Sequence, residues 1–438
     1  MSLFSRFFLF VLFLGISYNL PAQRLITKRS SFYLMAGTSG AKLRQFDQLL
    51  EDRGLTGLRN KYHTIGLGYQ ARYNDFVIGM EVYHNRGGKS ELDDFKLNYR
   101  TSRALLNIGY AFIEESNIQL IHYMSIGAGF LNFQMLPQSS SQSLEGFLAE
   151  PSQGFILREK NIQKGTRYYG NFLTETGFQL SYDFDLPGRK EALEVLLKLG
   201  YAFSPFEGKW NLNGLSFDNA QSGAFIRVGA GLTLPDRNFF YKDASIGLYL
   251  INGIHFTSPD GFNEVLESEG FNAFDGKPSN LGLRILGESG KFLYGADIYN
   301  LAMSGSANNI RNHTLNSLRV YGNLGMKFIQ YRNFAIGGIA GLGFGNIRYT
   351  NTMKNKPDFP ELFEQRTFDG YLRNSGLMAK PELYVEYGIP IGKRNLFDVV
   401  FNTSVGYELP LANYKLADFS MASYMSAPYL SFGIGVRP

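Results

Sequence analysis

The chain has 438 residues, no cysteine and a formal net charge of +5, from 43 Lys and Arg against 38 Asp and Glu. Without cysteine there is no disulfide framework and no thiolate metal site, and a scattered charge with no long basic run gives no footprint for nucleic acid. Aromatics make up 15% of the chain (27 Tyr, 38 Phe, 1 Trp), beside 49 Gly and only 18% charged residues, a composition of strand formers and turn or close-packing residues rather than of a helix-rich soluble enzyme.

The first 22 residues read as a secretory signal. Arg6 supplies the positive start, Phe7 to Ile16 is an apolar run too short to span a bilayer, and Leu20-Pro21-Ala22 offers a small residue before a cut at Gln23. No cysteine follows that cut, which argues against a lipid anchor. Nothing later contains the 18 or so consecutive apolar residues of a membrane helix.

Beyond the signal, alternation predicts eight strands, near residues 30–38, 61–72, 76–86, 98–113, 117–134, 167–185, 191–204 and 222–234. In the third, Phe76, Ile78, Met80 and Val82 form an apolar face while Gly79, Glu81 and Tyr83 form the other. In the fourth, Ala104, Leu106, Ile108, Tyr110 and Phe112 oppose Arg103, Asn107 and Gly109. Connections alternate between short ones at Asn74-Asp75, Glu115-Ser116 and Pro187-Gly188-Arg189 and long ones over 39–60, 137–165 and 205–221. That asymmetry is expected of a membrane barrel with tight turns inside and long loops outside.

The same text then recurs. Tyr33 to Phe112 is answered without a gap by Tyr249 to Phe328, so Gly79, Glu81, Tyr83, Arg103 and Asn107 return as Gly295, Asp297, Tyr299, Arg319 and Asn323. A repeat of about 200 residues far exceeds a solenoid unit of roughly 20 to 50 residues and marks a duplicated domain: residues 23–235 and 236–438. The first long loop of each copy carries a helical stripe, Leu43, Phe46, Leu49 and Leu50 in one and Phe262, Val265 and Leu266 in the other, ending near Gly54 and Gly270. Such stripes either dock a partner at the barrel mouth or plug and cover the rim.

These residues resemble the OmpA-like group of eight-stranded outer-membrane barrels, in its stand-alone form without a peptidoglycan-binding domain. The resemblance covers the mature chain as two consecutive copies and rests on the alternating strands, the inward glycines with scattered inward charges, and closing strands Phe225 to Thr233 and Tyr429 to Val436. It implies an outer-membrane location, lipid contact and a role exerted through external loops. One departure stands: many such barrels end in an aromatic residue that helps assembly, whereas here the last residues are Val436-Arg437-Pro438, which turns the search for that signal to an internal strand.

Sixteen strands close as two narrow barrels or as one wide one. Small and apolar inward residues, such as Gly337, Ile339, Gly341, Gly343 and Gly345, suit a filled interior better than a wet pore, and favour two all-β transmembrane barrels of eight strands over a single barrel of sixteen. Glu81, Arg103, Asn107, Glu194, Lys198 and Arg227, with Asp297, Arg319 and Asn323 of the second copy, are then an inward polar network in which charges must be paired. Repetition suggests Glu81 with Arg103 and Asp297 with Arg319.

Catalytic signals are weak. The five histidines, His63, His84, His122, His255 and His313, make no signature, and His122 and Ser125 fall on opposite faces of one strand. Gly341 to Gly345 lacks the flanking elements of a phosphate loop, and Glu91, Asp93 and Asp94 read as a solvated loop rather than a calcium site. The expectation is a non-enzymatic outer-membrane barrel without cofactor or metal, with a structural, adhesion or partner-binding role toward an envelope or cell-surface protein. The alternatives are a passive pore and an accessory part of a secretion system.

Overall fold

A computed structural model describes residues 27–437, apart from 41–43, 53, 55–60, 93–94, 116, 138–142, 151–153, 159–171, 188–190, 205–208, 213–214, 219–221, 239–243, 306–309, 360, 365–368 and 392–396. The expected signal, residues 1–22, lies outside the described residues.

In the first unit, β1 (Thr27–Gly40), β2 (Lys61–Tyr73), β3 (Phe76–Leu92), β4 (Phe95–Glu115) and β5 (Ile118–Pro137) form consecutive antiparallel pairs. A short β6 (Phe155–Arg158) adds to the outer end of β5. The wall continues through β7 (Phe172–Asp185) and β8 (Ala192–Phe203), passes by a β9–β10 hairpin (Lys209–Leu212, Leu215–Asp218), and closes where β11 (Gly223–Asn238) pairs with β1. The second unit closes as β12 (Ala244–His255), β13 (Ser279–Ser289), β14 (Phe292–Gly305), β15 (Arg311–Tyr331), β16 (Phe334–Met353), β17 (Gly370–Ile391), β18 (Phe397–Pro410) and, after a small β19–β20 hairpin (Lys415–Leu416, Phe419–Ser420), β21 (Ala427–Arg437). There are therefore two eight-stranded antiparallel barrels, and the sixteen-stranded alternative is excluded: β11 returns to β1 and β21 to β12.

Closure leaves no wall strand with a free edge, a requirement in hydrocarbon, where no water can replace a missing ladder. The outward rows are apolar, with Ile78, Leu106, Ile108, Phe112, Leu342, Phe344, Leu383 and Phe432 all exposed, while the intervening residues are buried. An apolar outside around a polar inside is the arrangement of a transmembrane barrel. At the tight-turn end Asn74 takes φ 51°, a left-handed value that asparagine tolerates at a two-residue turn.

Several boundaries differ from the sequence expectation. Strands β3 and β4 run on to Leu92 and Phe95, because Lys89 with Asn98 and Glu91 with Lys96 stay in register beyond the apolar belt; alternation of apolar residues fades there although the ladder does not. The long loops hold structure that alternation missed: the helix α2 (Leu144–Ala149), capped by Ser143, together with β6 and the β9–β10 hairpin. The strand expected from residue 167 is described from Phe172.

The barrels touch at both ends. Near the short turns, Tyr69 and Ala71 on the outside of β2 pack with Leu234, Ile246 and Ile285, and the Tyr69 hydroxyl donates to the Ile246 carbonyl at 3.0 Å. At the long-loop end each unit reaches across to the other.

Candidate functional site

The candidate site is the pair of lumina and what covers them. In the first barrel, three charged layers stack from the short-turn end. Arg29 bridges Asp183 and Glu194. Above it Glu81 receives Lys198 and the hydroxyls of Tyr33 (2.7 Å) and Tyr83 (2.6 Å). In the third layer Glu175 takes both Arg227 Nη atoms at 2.7 Å and Arg103 Nη1 at 2.9 Å, with the Arg227 guanidinium 3.8 Å over the Tyr83 ring. These four acids and four bases are all buried. A buried charge without a partner costs several kcal/mol, so such a core folds only when it balances.

The second barrel is filled in the same way with other partners. Lys327 and Arg437 share Glu288 and Glu386. Arg284 holds Asp297 (2.8 Å) and Glu382 (2.7 Å), Lys380 joins both, and Tyr429 donates to Glu382 at 2.6 Å. Higher up, Glu408 accepts from the hydroxyls of Tyr299 and Tyr321 (2.8 Å), pairs with Arg319 and lies 2.9 Å from His255 Nδ1.

The inward residues expected from sequence, Glu81, Arg103, Asn107, Glu194, Lys198, Arg227, Asp297, Arg319 and Asn323, are all buried. The expected pairings are corrected: Glu81 does not bond Arg103, nor Asp297 Arg319. In each copy a tyrosine stands opposite the arginine, Tyr83 to Arg103 and Tyr299 to Arg319, and separates the acid's layer from the base's. Most of the true counterions, Lys198, Glu175, Lys380 and Glu408, sit on later strands beyond the gapless repeat, while Arg284, which holds Asp297, sits within it where the first copy has Gly68. An isolated charge inside an alternating strand was the signal that would have found them. Asn107 and Asn323 make no side-chain hydrogen bond among the described residues.

The mouths are closed as well. Helix α1 (Arg44–Glu51) turns Phe46 and Leu50 inward, where Phe46 meets Phe133 edge-on at 5.0 Å, and α3 (Asp260–Ser268) turns Phe262 and Leu266 onto Tyr349 and Phe274. All four are at most 1% exposed. They are cover residues and offer no face to an external partner. Met378, Met425, Tyr414 and a short α4 (Ala422–Met425) complete the second cap.

Each cap also borrows from the other barrel. Leu144, Phe147 and Leu148 of α2, carried by the first unit, belong to the second unit's core, and the Leu144 amide donates to Asp418 at 2.9 Å. In return Phe359 and Leu362 of the second unit pack with Phe46, Phe133 and Tyr99. Asp369 fastens the exchange: its carboxylate accepts from the amides of Ile156 (2.7 Å) and Met353 (2.9 Å) and pairs with Lys356 (2.6 Å), while its own amide donates to Gly154. Burial pushes this carboxyl above the usual aspartate range, even with Lys356 beside it.

No catalytic constellation is assembled around the residues considered for one. His122 lies on the outward row beside Phe112 and Phe178, while Ser125 points into the lumen. His255 is committed to Glu408 and Asn280. Among the described residues no three His, Asp or Glu are gathered to hold a metal.

No family model matches the chain, and no curated relative does. Solved structures with similarity include the Pseudomonas putida toluene transporter TodX, 11% identical over 94% of this chain and 88% of that one with a TM-score of 0.21. Another is the translocator domain of the autotransporter NalP from Neisseria meningitidis, 8% identical over 99% and 95% with a TM-score of 0.19. TM-scores this low define no common arrangement, and the two closed barrels rest on their own ladders.

Proposed function

We propose that this is a non-enzymatic bacterial outer-membrane protein, a double barrel of the OmpA-like kind that acts structurally or by binding an envelope or cell-surface partner through its external face. The observation that carries the reading is that both lumina are filled by neutralised charge networks and covered by helices and loops. A filled lumen of eight strands leaves no room for a water column, which argues against the passive pore. Burial of Phe46, Leu50, Phe262 and Leu266 moves the contact surface from those side chains to the exposed outer parts of the loops.

The test is single-channel recording on refolded, signal-free protein, with heat-modifiable gel mobility to verify that the barrels have formed. Silent bilayers after verified insertion are expected. Large, steady conductance would overturn the reading and restore a transport role.

A further inference from the structure

Just beyond the apolar belt, four strands change character at the same level. On β3 the outward row runs Ile78, Met80, Val82 and then His84 and Arg86; on β4 it runs Ile108, Leu106, Ala104 and then Ser102 and Arg100. On β16 it runs Leu342, Phe344 and then Asn346 and Arg348; on β17 Leu377 gives way to Ser375 and Arg373. Arginine at the edge of a belt is ordinary in a membrane barrel, since its stem covers apolar surface while its head reaches the interface. The pairing here is not ordinary. Arg86 stands directly opposite Arg100, and Arg348 directly opposite Arg373, although like charges in cross-strand register destabilise a sheet.

The two pairs also converge from different barrels. Tyr371 of the second unit lies under the Arg348 guanidinium at 3.8 Å and within 5.8 Å of Arg373. The charged groups acting on half-buried Arg100 are Arg86 of its own barrel and Arg373 of the other, both cations, with Tyr371 beside them. Arg100 Nε is enclosed without a hydrogen-bond partner among the described residues. His84, beside Ser102 at 3.2 Å, lies within reach of both Arg86 and Arg100, which together with burial disfavour its protonation. In both lumina every described cluster of bases is met by acids; here, among the described residues, the charged side chains acting on Arg100 besides Tyr371 are both bases.

We infer that the crevice between β3–β4 of the first barrel and β16–β17 of the second binds the phosphate-bearing headgroup of an outer-leaflet lipid, a multiply phosphorylated glycolipid. The chemistry fits. Guanidinium groups form bidentate bonds to phosphate, the site lies where apolar rows end and headgroups begin, and cations contributed by separate strands suit more than one phosphate. Acyl chains would then lie along the exposed rows beneath, Val82 and Leu106 on one side and Phe344 and Leu377 on the other. The inference deepens the outer-membrane reading and rests on it.

The test uses the mature chain refolded in phosphatidylethanolamine nanodiscs doped with a diphosphorylated glycolipid or with its dephosphorylated counterpart. Lipid retained on the protein is counted by mass spectrometry, and folding is verified by gel mobility. The wild type should retain the phosphorylated form selectively. The exposed double variant Arg86→Gln/Arg373→Gln should lose about tenfold or more of that retention, while Arg332→Gln at a short turn leaves it unchanged. Equal retention of the two glycolipids, or by the double variant and wild type, overturns the inference while the membrane reading stands. Displacement by inorganic phosphate alone would assign the site to a free anion and overturn the lipid. Failure to insert into any nanodisc would overturn the membrane placement itself. Should the double variant misfold, Arg373→Gln alone together with the salt dependence of retention decides the same question.

Discussion

The two barrels keep the same key positions and wire them differently. Glu81 and Asp297 occupy one repeated inward position, yet the first is neutralised by Lys198 on β8 and the second by Arg284 on β13 and Lys380 on β17. Arg103 shares Glu175 with Arg227, whereas Arg319 goes to Glu408. What has been kept in both copies is neutrality of the lumen as a whole and the tyrosine that divides the layers; in the first barrel the extra acid beside Arg29 offsets the extra base beside Glu175. A counterion can come from any strand that reaches the same height, so its position is free to move as long as the sum does not.

That comparison is broken most sharply at Glu175. In Glu175→Ala two buried arginines lose their shared carboxylate at once, with an expected loss of about 3–5 kcal/mol. In Glu382→Ala, Arg284 retains Asp297 and the loss should be smaller; urea unfolding of the two variants in detergent micelles gives the ranking, and an equal loss would deny that redundancy distinguishes the barrels. Next come the covers, where Phe46→Ala and Phe262→Ala each should cost about 3 kcal/mol through the cavity left behind. Thermal gel-mobility shifts measure this, and a negligible shift in both would return these side chains to the role of surface contacts.

A smaller effect is expected at the repeated glycines. Gly66 faces Tyr83 and Gly282 faces Tyr299 across their ladders, and a β-carbon at either would lie 2.4 Å from that tyrosine's side chain. Gly66→Val and Gly282→Val should therefore each destabilise by about 1–3 kcal/mol, similarly in the two barrels, as read from denaturation midpoints. The smallest is the coupling across the barrels. Phe46 and Phe359 lie 5.8 Å apart, and a double-mutant cycle to alanine should give about 0.5–1.5 kcal/mol; zero coupling would show that the units are capped independently.

Much of this architecture is legible in the sequence because a wall strand imposes period two for its whole length. Phe76 to Tyr83 and Phe292 to Tyr299 announce face and register directly, and inward placement of Glu81, Arg103 and Lys198 follows from the same rule. Partners do not follow. Which acid meets Arg103 depends on strand stagger around a closed circle, a property of three dimensions that local spacing does not carry. The caps were legible only as stripes: Phe46 and Leu50 on one face said that something covers them, but not that Phe359, more than three hundred residues away, would. Leu144 to Ala149 was missed because six residues are too few to display a helical period.

The exchange of loops has a consequence for inheritance. A tandem duplication ordinarily leaves two self-sufficient copies, and either can be deleted without harm to its twin. Here α2 of the first copy completes its neighbour, and Phe359 and Leu362 of the second complete the first. With each lid supplied in part by the other copy, deletion of either would uncover the survivor, and the two barrels pass on as one unit.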